Sequence, residues 1–147
     1  MDLASPSFAD GDALPARHTL DGGNLSPPLS VRGAPEGTQS FALIVEDLDS
    51  PLGLFTHWVI WNLPPDTAEV AEDVSPAAGE IGVNGFGETR YDGPAPPRGR
   101  HRLRFRLIAL NTLLGATTGG DKQRLLKEAR GHVLAEATLI AHVHAPA

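Results

Sequence analysis

The sequence predicts a mainly β protein, an antiparallel β-sandwich with one or two short peripheral helices near the C-terminus. Three observations carry that expectation. Apolar runs are short and bounded by turn residues. The 16 glycines and 13 prolines are spread through the chain as punctuation instead of gathering into a linker. The regular alternation of strand and long helix expected of a βαβ protein is missing. With 147 residues, 41% of them hydrophobic and no internal repeat, the chain has the size of one domain, 1–147, around one core.

Individual strands follow from side-chain alternation. In Ser40 to Asp47, Phe41, Leu43 and Val45 share a face, and Asp47 continues that row; Asp49 keeps the parity if the chain stays extended. His57 to Asn62 is apolar on both faces, which suits a central strand, and His57 lies in line with Val59 and Trp61. In Arg102 to Leu110, Leu103, Phe105 and Leu107 point one way and Arg102, Arg104 and Arg106 the other, with His101 on the apolar side. A helix is expected from Gly120 or Asp121 to Arg130, with Asp121 as N-cap and Gly131 as stop. A second helical turn is expected over His132 to Glu136, then a last strand over Ala137 to His144. Residues 64–100 read as loops with one short strand at most, and a loop of that length in a small protein is usually functional.

Composition excludes several classes of function. Twelve basic and 18 acidic residues give a net charge of −6, which disfavours nucleic acid and anionic membrane surfaces, so any anion must be captured locally. Without cysteine there is no disulfide, thiolate nucleophile or Cys-ligated zinc. The opening residues 1–12 lack the apolar core of a signal peptide, and no run approaches the ~18 apolar residues of a membrane span. The expected location is cytoplasmic, and no cofactor is expected.

Three predicted strands each end an inward row with an ionisable residue. A sheet that aligned those ends would line a pocket with Asp47, Asp49, His57 and His101. These residue types admit a metal site, but no HExxH-like spacing accompanies them. They admit a hydrolase, but Ser50 sits in no GxSxG elbow and precedes a proline. They also admit a small anion pocket, in which protonated imidazoles hold a phosphate or carboxylate while the aspartates behind them fix the tautomers. The plainest alternative is that Asp47 and Asp49 cap a turn before Pro51 and the histidines are satisfied core residues. The arginines at 98, 100, 102, 104 and 106 lack interleaved aromatic residues for stacking bases, so they read as an outer face paired with acids. His142 and His144 read as an exposed pair.

Several ordered motifs resemble the phosphatidylethanolamine-binding proteins, the group that includes the Raf kinase inhibitor proteins, and especially its short bacterial and archaeal branch. They are Asn24-Leu25-Ser26-Pro27-Pro28-Leu29, Asp47 to Pro51 with His57 to Asn62, Tyr91 to Pro97 with His101-Arg102, and Gly131 to Ala137. The resemblance runs nearly end to end, with Val31, Leu48 and Leu103 departing from the family pattern at a frequent Trp, a usual Pro and a Tyr. It implies a non-enzymatic binding protein with site residues Asp47, Asp49, Pro51, His57, Pro96, Pro97 and His101. The implied ligands are phosphate- or carboxylate-bearing groups such as a phospholipid head group or a phosphorylated side chain. It further implies a regulator acting on a protein partner such as a kinase or protease, and a homodimer. The alternatives are a hydrolase or metal-dependent enzyme using the same Asp/His cluster, and a protein-interaction module with a vestigial pocket.

Overall fold

The computed structural model describes residues 1–73, 79–115 and 120–145. Two antiparallel sheets face each other. The smaller contains β1 (Asp2–Ala4), β2 (Leu29–Arg32) and β5 (Glu69–Val70), in the order β1-β2-β5. The larger contains β3 (Ser40–Asp47), β4 (Phe55–Leu63), β6 (Glu80–Ile81), β7 (Arg100–Leu110) and β8 (Val133–His144), in the order β6-β4-β3-β7-β8. Strand β3 has the bounds expected from alternation, and β4 and β7 extend the expected strands by one or two residues. Within 64–100 two short strands form, β5 and β6, while residues 74–78 lie outside the described residues.

Strand β3 is buried along its whole length because it pairs with β4 on one side and β7 on the other. Its alternate side chains feed two cores. Phe41, Leu43 and Val45 join Trp58, Ile60, Leu103, Phe105 and Leu107 between the sheets, where Leu3, Leu29, Val31 and Val70 of the small sheet meet them. Ala42 and Ile44 join Val59, Trp61 and Ile108 on the opposite face, which Leu125 and Ala129 of the helix α1 (Lys122–Ala129) cover. Burial of these side chains at about 25 cal/mol per Å² is the main force holding the layers together.

Helix α1 starts as expected. The Asp121 carboxylate accepts from Arg124 N–H at 3.0 Å, and Gly131, with φ of +78°, turns the chain out of the helix. The second helical turn over His132 to Glu136 is not there, because β8 begins at Val133 and pairs with β7 as far back as Leu110. Ala135, Ala137, Leu139, Ala141 and Val143 face inward with strand period, and that alternation over the whole segment outweighs the helix propensity of Leu134 to Ala137. Three of the five arginines of the row are paired with acids: Arg102 with Asp49, Arg104 with Glu46 and Arg106 with Glu136. Of the C-terminal histidines, only His144 is exposed. His142 is half-buried, its backbone bonded to Asp12 and Leu14.

Candidate functional site

The pocket forms where β3, β4 and β7 end. Asp47 and Leu103 are register partners, so His101, two residues before Leu103, emerges beside the Asp47 carboxylate. The contact is direct: His101 Nδ1 lies 2.6 Å from Asp47 Oδ2. The other Asp47 oxygen accepts from Asp49 N–H at 2.8 Å, closing an Asx turn that carries the chain towards Pro51. Asp47 therefore caps a turn and orients an imidazole at once.

Strict alternation along β4 would put His57 on the helix-covered face with Val59 and Trp61. A bulge prevents this. Val45 pairs with Trp58 but Glu46 pairs with Thr56, so His57 is an extra residue in its strand and turns into the pocket. Its Nδ1 lies 2.7 Å from the Asp92 carbonyl oxygen, and since a carbonyl only accepts, Nδ1 carries the proton. Burial is the largest influence on this ring and lowers its pKa, more than the Asp92 carbonyl and the Asp47 and Asp92 charges raise it. The expected protonated imidazole is thus absent at His57, which is neutral at neutral pH.

Behind the ring, the buried Asp92 carboxylate accepts from Asn24 Nδ2 at 3.0 Å, Asn84 Nδ2 at 2.9 Å and Arg90 Nε at 3.0 Å. Burial, the largest influence, would raise its pKa, but these donors together lower it, so it remains a carboxylate. The Asn24 side-chain oxygen accepts from Gly93 N–H at 2.6 Å, fixing the start of the Pro94 to Pro97 wall. Gly93 has to be glycine because a Cβ there would sit 2.3 Å from the His18 carbonyl oxygen. That oxygen also accepts from the Tyr91 hydroxyl at 2.6 Å.

A cavity of about 350 Å³ opens at this point, and its wall includes Asp47, Pro51, His57, Pro96, Pro97 and His101. Asp49 is not part of that wall. Its carboxylate accepts from Arg102 N–H, Nε and Nη2 at 2.8, 2.9 and 2.8 Å, and those hydrogen bonds are the first reason its pKa falls to about 2. Alternation did not carry through the turn, so Asp49 faces Arg102 instead of the pocket.

The sequence reading missed the apolar rim. Leu20, Leu52, Phe55 and Phe86 also line the cavity, with Leu52 97% and Phe86 50% exposed. Phe55 packs edge-on against Phe86 with centroids 4.9 Å apart and lies 5.1 Å from the His57 ring. The Asn84 side chain places Phe86 by accepting from its N–H at 2.9 Å. The Asn-Gly pair at 84 and 85 was a turn signal in the sequence, but nothing local said that the turn reaches Phe55.

The sequence pattern of the phosphatidylethanolamine-binding proteins matches residues 4–144. The chain belongs to the phosphatidylethanolamine-binding protein family. It is 46% identical over 146 residues to a UPF0098 protein of Methanothermobacter thermautotrophicus, covering 95% of this chain and 96% of that one. It is 40% identical over 148 residues to a UPF0098 protein of Aquifex aeolicus, covering 95% and 86%. Among solved structures, a phosphatidylethanolamine-binding protein homologue of Chlamydia trachomatis superposes with a TM-score of 0.95 at 35% identity, covering 99% of this chain and 97% of its own. Escherichia coli YbcL, described as a member of the mammalian family, superposes with a TM-score of 0.92 at 27% identity, covering 99% and 98%. The two-sheet architecture with one C-terminal helix is that of this phosphatidylethanolamine-binding protein fold. Among the described residues, no helix is long and apolar enough to cross a membrane, and no three His, Asp or Glu side chains form a metal-binding group.

Proposed function

We propose that this protein is a non-enzymatic binding protein whose pocket holds the phosphate or carboxylate head of a small ligand and shelters its apolar body against the rim. The observation that carries the reading is the convergence of two oriented imidazoles in one cavity, His101 held by Asp47 and His57 held by the Asp92 carbonyl. Pro51, Pro96 and Pro97 give the cavity a stiff wall, since proline fixes its own backbone angle. A hydrolase using the same cluster needs a nucleophile hydrogen-bonded to an imidazole. Ser50 is the hydroxyl in the cavity wall, and no hydrogen bond joins it to either ring, which favours binding over catalysis.

The exposed leucines and Phe86 around the mouth suit a ligand carried on a larger body, such as a phosphorylated side chain of a protein partner. Titration with phosphate, phosphoethanolamine and acetate, followed by imidazole NMR signals, tests the reading. Shifts confined to His57 and His101 are expected. Unchanged spectra at millimolar ligand would remove it.

A further inference from the structure

A third oriented imidazole lies outside the cavity, at the end of the short 3-10 turn Ala16–His18. His18 is sealed from solvent, with 0% of its surface exposed. Its Nδ1 lies 2.8 Å from the Leu25 carbonyl oxygen, and since that oxygen only accepts, Nδ1 carries the ring proton. The Leu25 N–H donates in turn to the Arg17 carbonyl at 2.9 Å, which closes the loop 17–25 on itself and fixes the ring. On the far side, His18 Nε2 lies 2.8 Å from the Ser7 hydroxyl oxygen.

The direction of each hydrogen bond here is fixed. Arg17 Nη2 can only donate, and it lies 3.0 Å from the same Ser7 oxygen. Ser7 therefore accepts from Arg17 and spends its one proton on His18 Nε2, the lone pair of a neutral ring. The ring is neutral because burial, the largest influence on it, lowers its pKa; the Leu25 carbonyl raises it, Arg17 lowers it further and Glu72 opposes Arg17. Glu72 Oε1 accepts from Arg17 Nε at 2.7 Å and stands 3.8 Å from His18 Nε2, where it offsets the charge that a proton would bring to the ring. Nucleophile, base and base-orienting acceptor are thus joined in hydrogen-bond sequence, the arrangement that Ser50 lacks in the cavity.

Other serine hydroxyls aim their protons at backbone carbonyls, Ser5 at Pro28, Ser30 at Ala4 and Ser40 at Thr112, and a carbonyl does not take the proton away. We propose that Ser7 is a covalent acyl acceptor, which takes one acyl group from an activated donor such as an aryl ester or an acyl phosphate and keeps it. The Ser7 oxygen bonds to the acyl carbon as its proton passes to His18 Nε2, and the Arg17 guanidinium favours the negative charge that develops there. The bond to the leaving oxygen then breaks, and that oxygen departs with the proton from His18. Ser7 is half-buried beside the partly exposed Arg17 and Glu72 side chains, so a donor reaches the hydroxyl from solvent. Deacylation would need a water to reach His18 Nε2, and the sealed ring offers it no path, so the ester persists. The step is a stoichiometric modification, apart from the pocket and without turnover.

p-Nitrophenyl acetate is the probe. At neutral pH the protein should release about one equivalent of nitrophenolate more than Ser7→Ala does, and then stop. Intact mass should rise by one acetyl group, and peptide mapping should place that group on Ser7. The labelling rate should rise with pH through a midpoint below 6.5, the ordinary value for the ring, and then hold level, because the neutral imidazole is the base and its folded pKa is depressed. A serine without a base follows hydroxide instead and reaches no plateau.

Ser7→Ala should remove both the burst and the label, whereas Ser30→Ala should keep them. Arg17→Gln should slow labelling about tenfold or more, through loss of the cation at the reacting oxygen. Acetylation confined to lysines, with Ser7 unlabelled, overturns the proposal. So does a Ser7 labelling rate that climbs with pH and never levels. Ser7-dependent release that continues past one equivalent overturns it as well, since the ester would then be hydrolysed and not kept. If Ser7→Ala does not fold, the mapped label and its pH profile in the wild type decide alone.

Discussion

Glu46 and Asp47 are neighbours at the end of β3 and point to opposite faces of the same sheet. Both are buried carboxylates, with residue exposures of 0% and 6%. Glu46 is closed off by two permanent cations, with Lys122 Nζ of α1 at 2.8 Å on one oxygen and the Arg104 guanidinium of β7 on the other. Asp47 is answered by an imidazole at 2.6 Å and opens onto a cavity. One face thus uses a carboxylate to tie a helix to a sheet, and the other uses one to aim a titratable ring. The nature of the counterion distinguishes the two acids, because Lys and Arg are fixed cations, whereas an imidazole carries a second ring nitrogen that it can turn to the cavity.

The largest expected effect comes from breaking the closed side. Glu46→Gln leaves Arg104 and Lys122 without their partner, and removing one member of a buried ion pair costs about 3 kcal/mol. Both cations keep some solvent contact, which holds the loss near that lower value. Burial, the largest influence on Glu46, pushes its pKa up, but the hydrogen bonds from Lys122 and Arg104 together bring it below 4.5. Because the folded pKa is the lower one, its contribution is fully present above that unfolded value and is lost as pH falls through the folded value. Denaturant melts at neutral and acidic pH should therefore show the variant's deficit shrinking on acidification, with the pocket's histidine signals unmoved at neutral pH. A neutral-pH loss well under 1 kcal/mol would show that the three-way contact is ornamental.

The two faces also differ in how much of them the sequence could show. Periodicity placed Phe41, Leu43 and Val45 together, and placed Arg104 and Arg106 opposite Leu103 and Phe105, because regular pairing preserves side-chain parity. It failed wherever the ladder is irregular. His57 reaches the pocket through a bulge, and Asp49 leaves it through an Asx turn, and each event shifts parity by a step that no local pattern announces. Asn24 and Asn84, which meet at Asp92, lie 60 residues apart, so only the fold brings them together. The small sheet was missed for a related reason: β1, β2 and β5 have two to four residues each, too short for alternation to register.

On the open side, effects should appear in binding before stability. Phe86 is half-exposed, and its ring packs edge-on against Phe55 at the mouth of the cavity. Phe86→Ala should change stability by less than about 0.5 kcal/mol. It should weaken phenyl phosphate about threefold to tenfold through the lost aromatic contact, while inorganic phosphate, which does not reach the rim, binds as before. Equal weakening of both ligands would mean that Phe86 acts by holding His57 rather than by touching the ligand's body.

The smallest effect is expected at the third carboxylate, which belongs to neither face. Asp49 lies one turn beyond Asp47, but its side chain is 31% exposed and is spent on Arg102, whose own side chain is 54% exposed. Exposed pairs of this kind contribute little, since water competes for both ions. Asp49→Asn keeps an oxygen for the Arg102 N–H, so the turn should persist. What stability the charge adds is present above pH 3.8, and because the folded pKa is depressed to about 2, it is lost only as pH falls through that value. Phosphate titration at neutral pH should give the wild-type affinity. If affinity instead falls, the Asp49 charge is felt inside the pocket, and the division between an acid that aims an imidazole and one that clamps a turn does not hold.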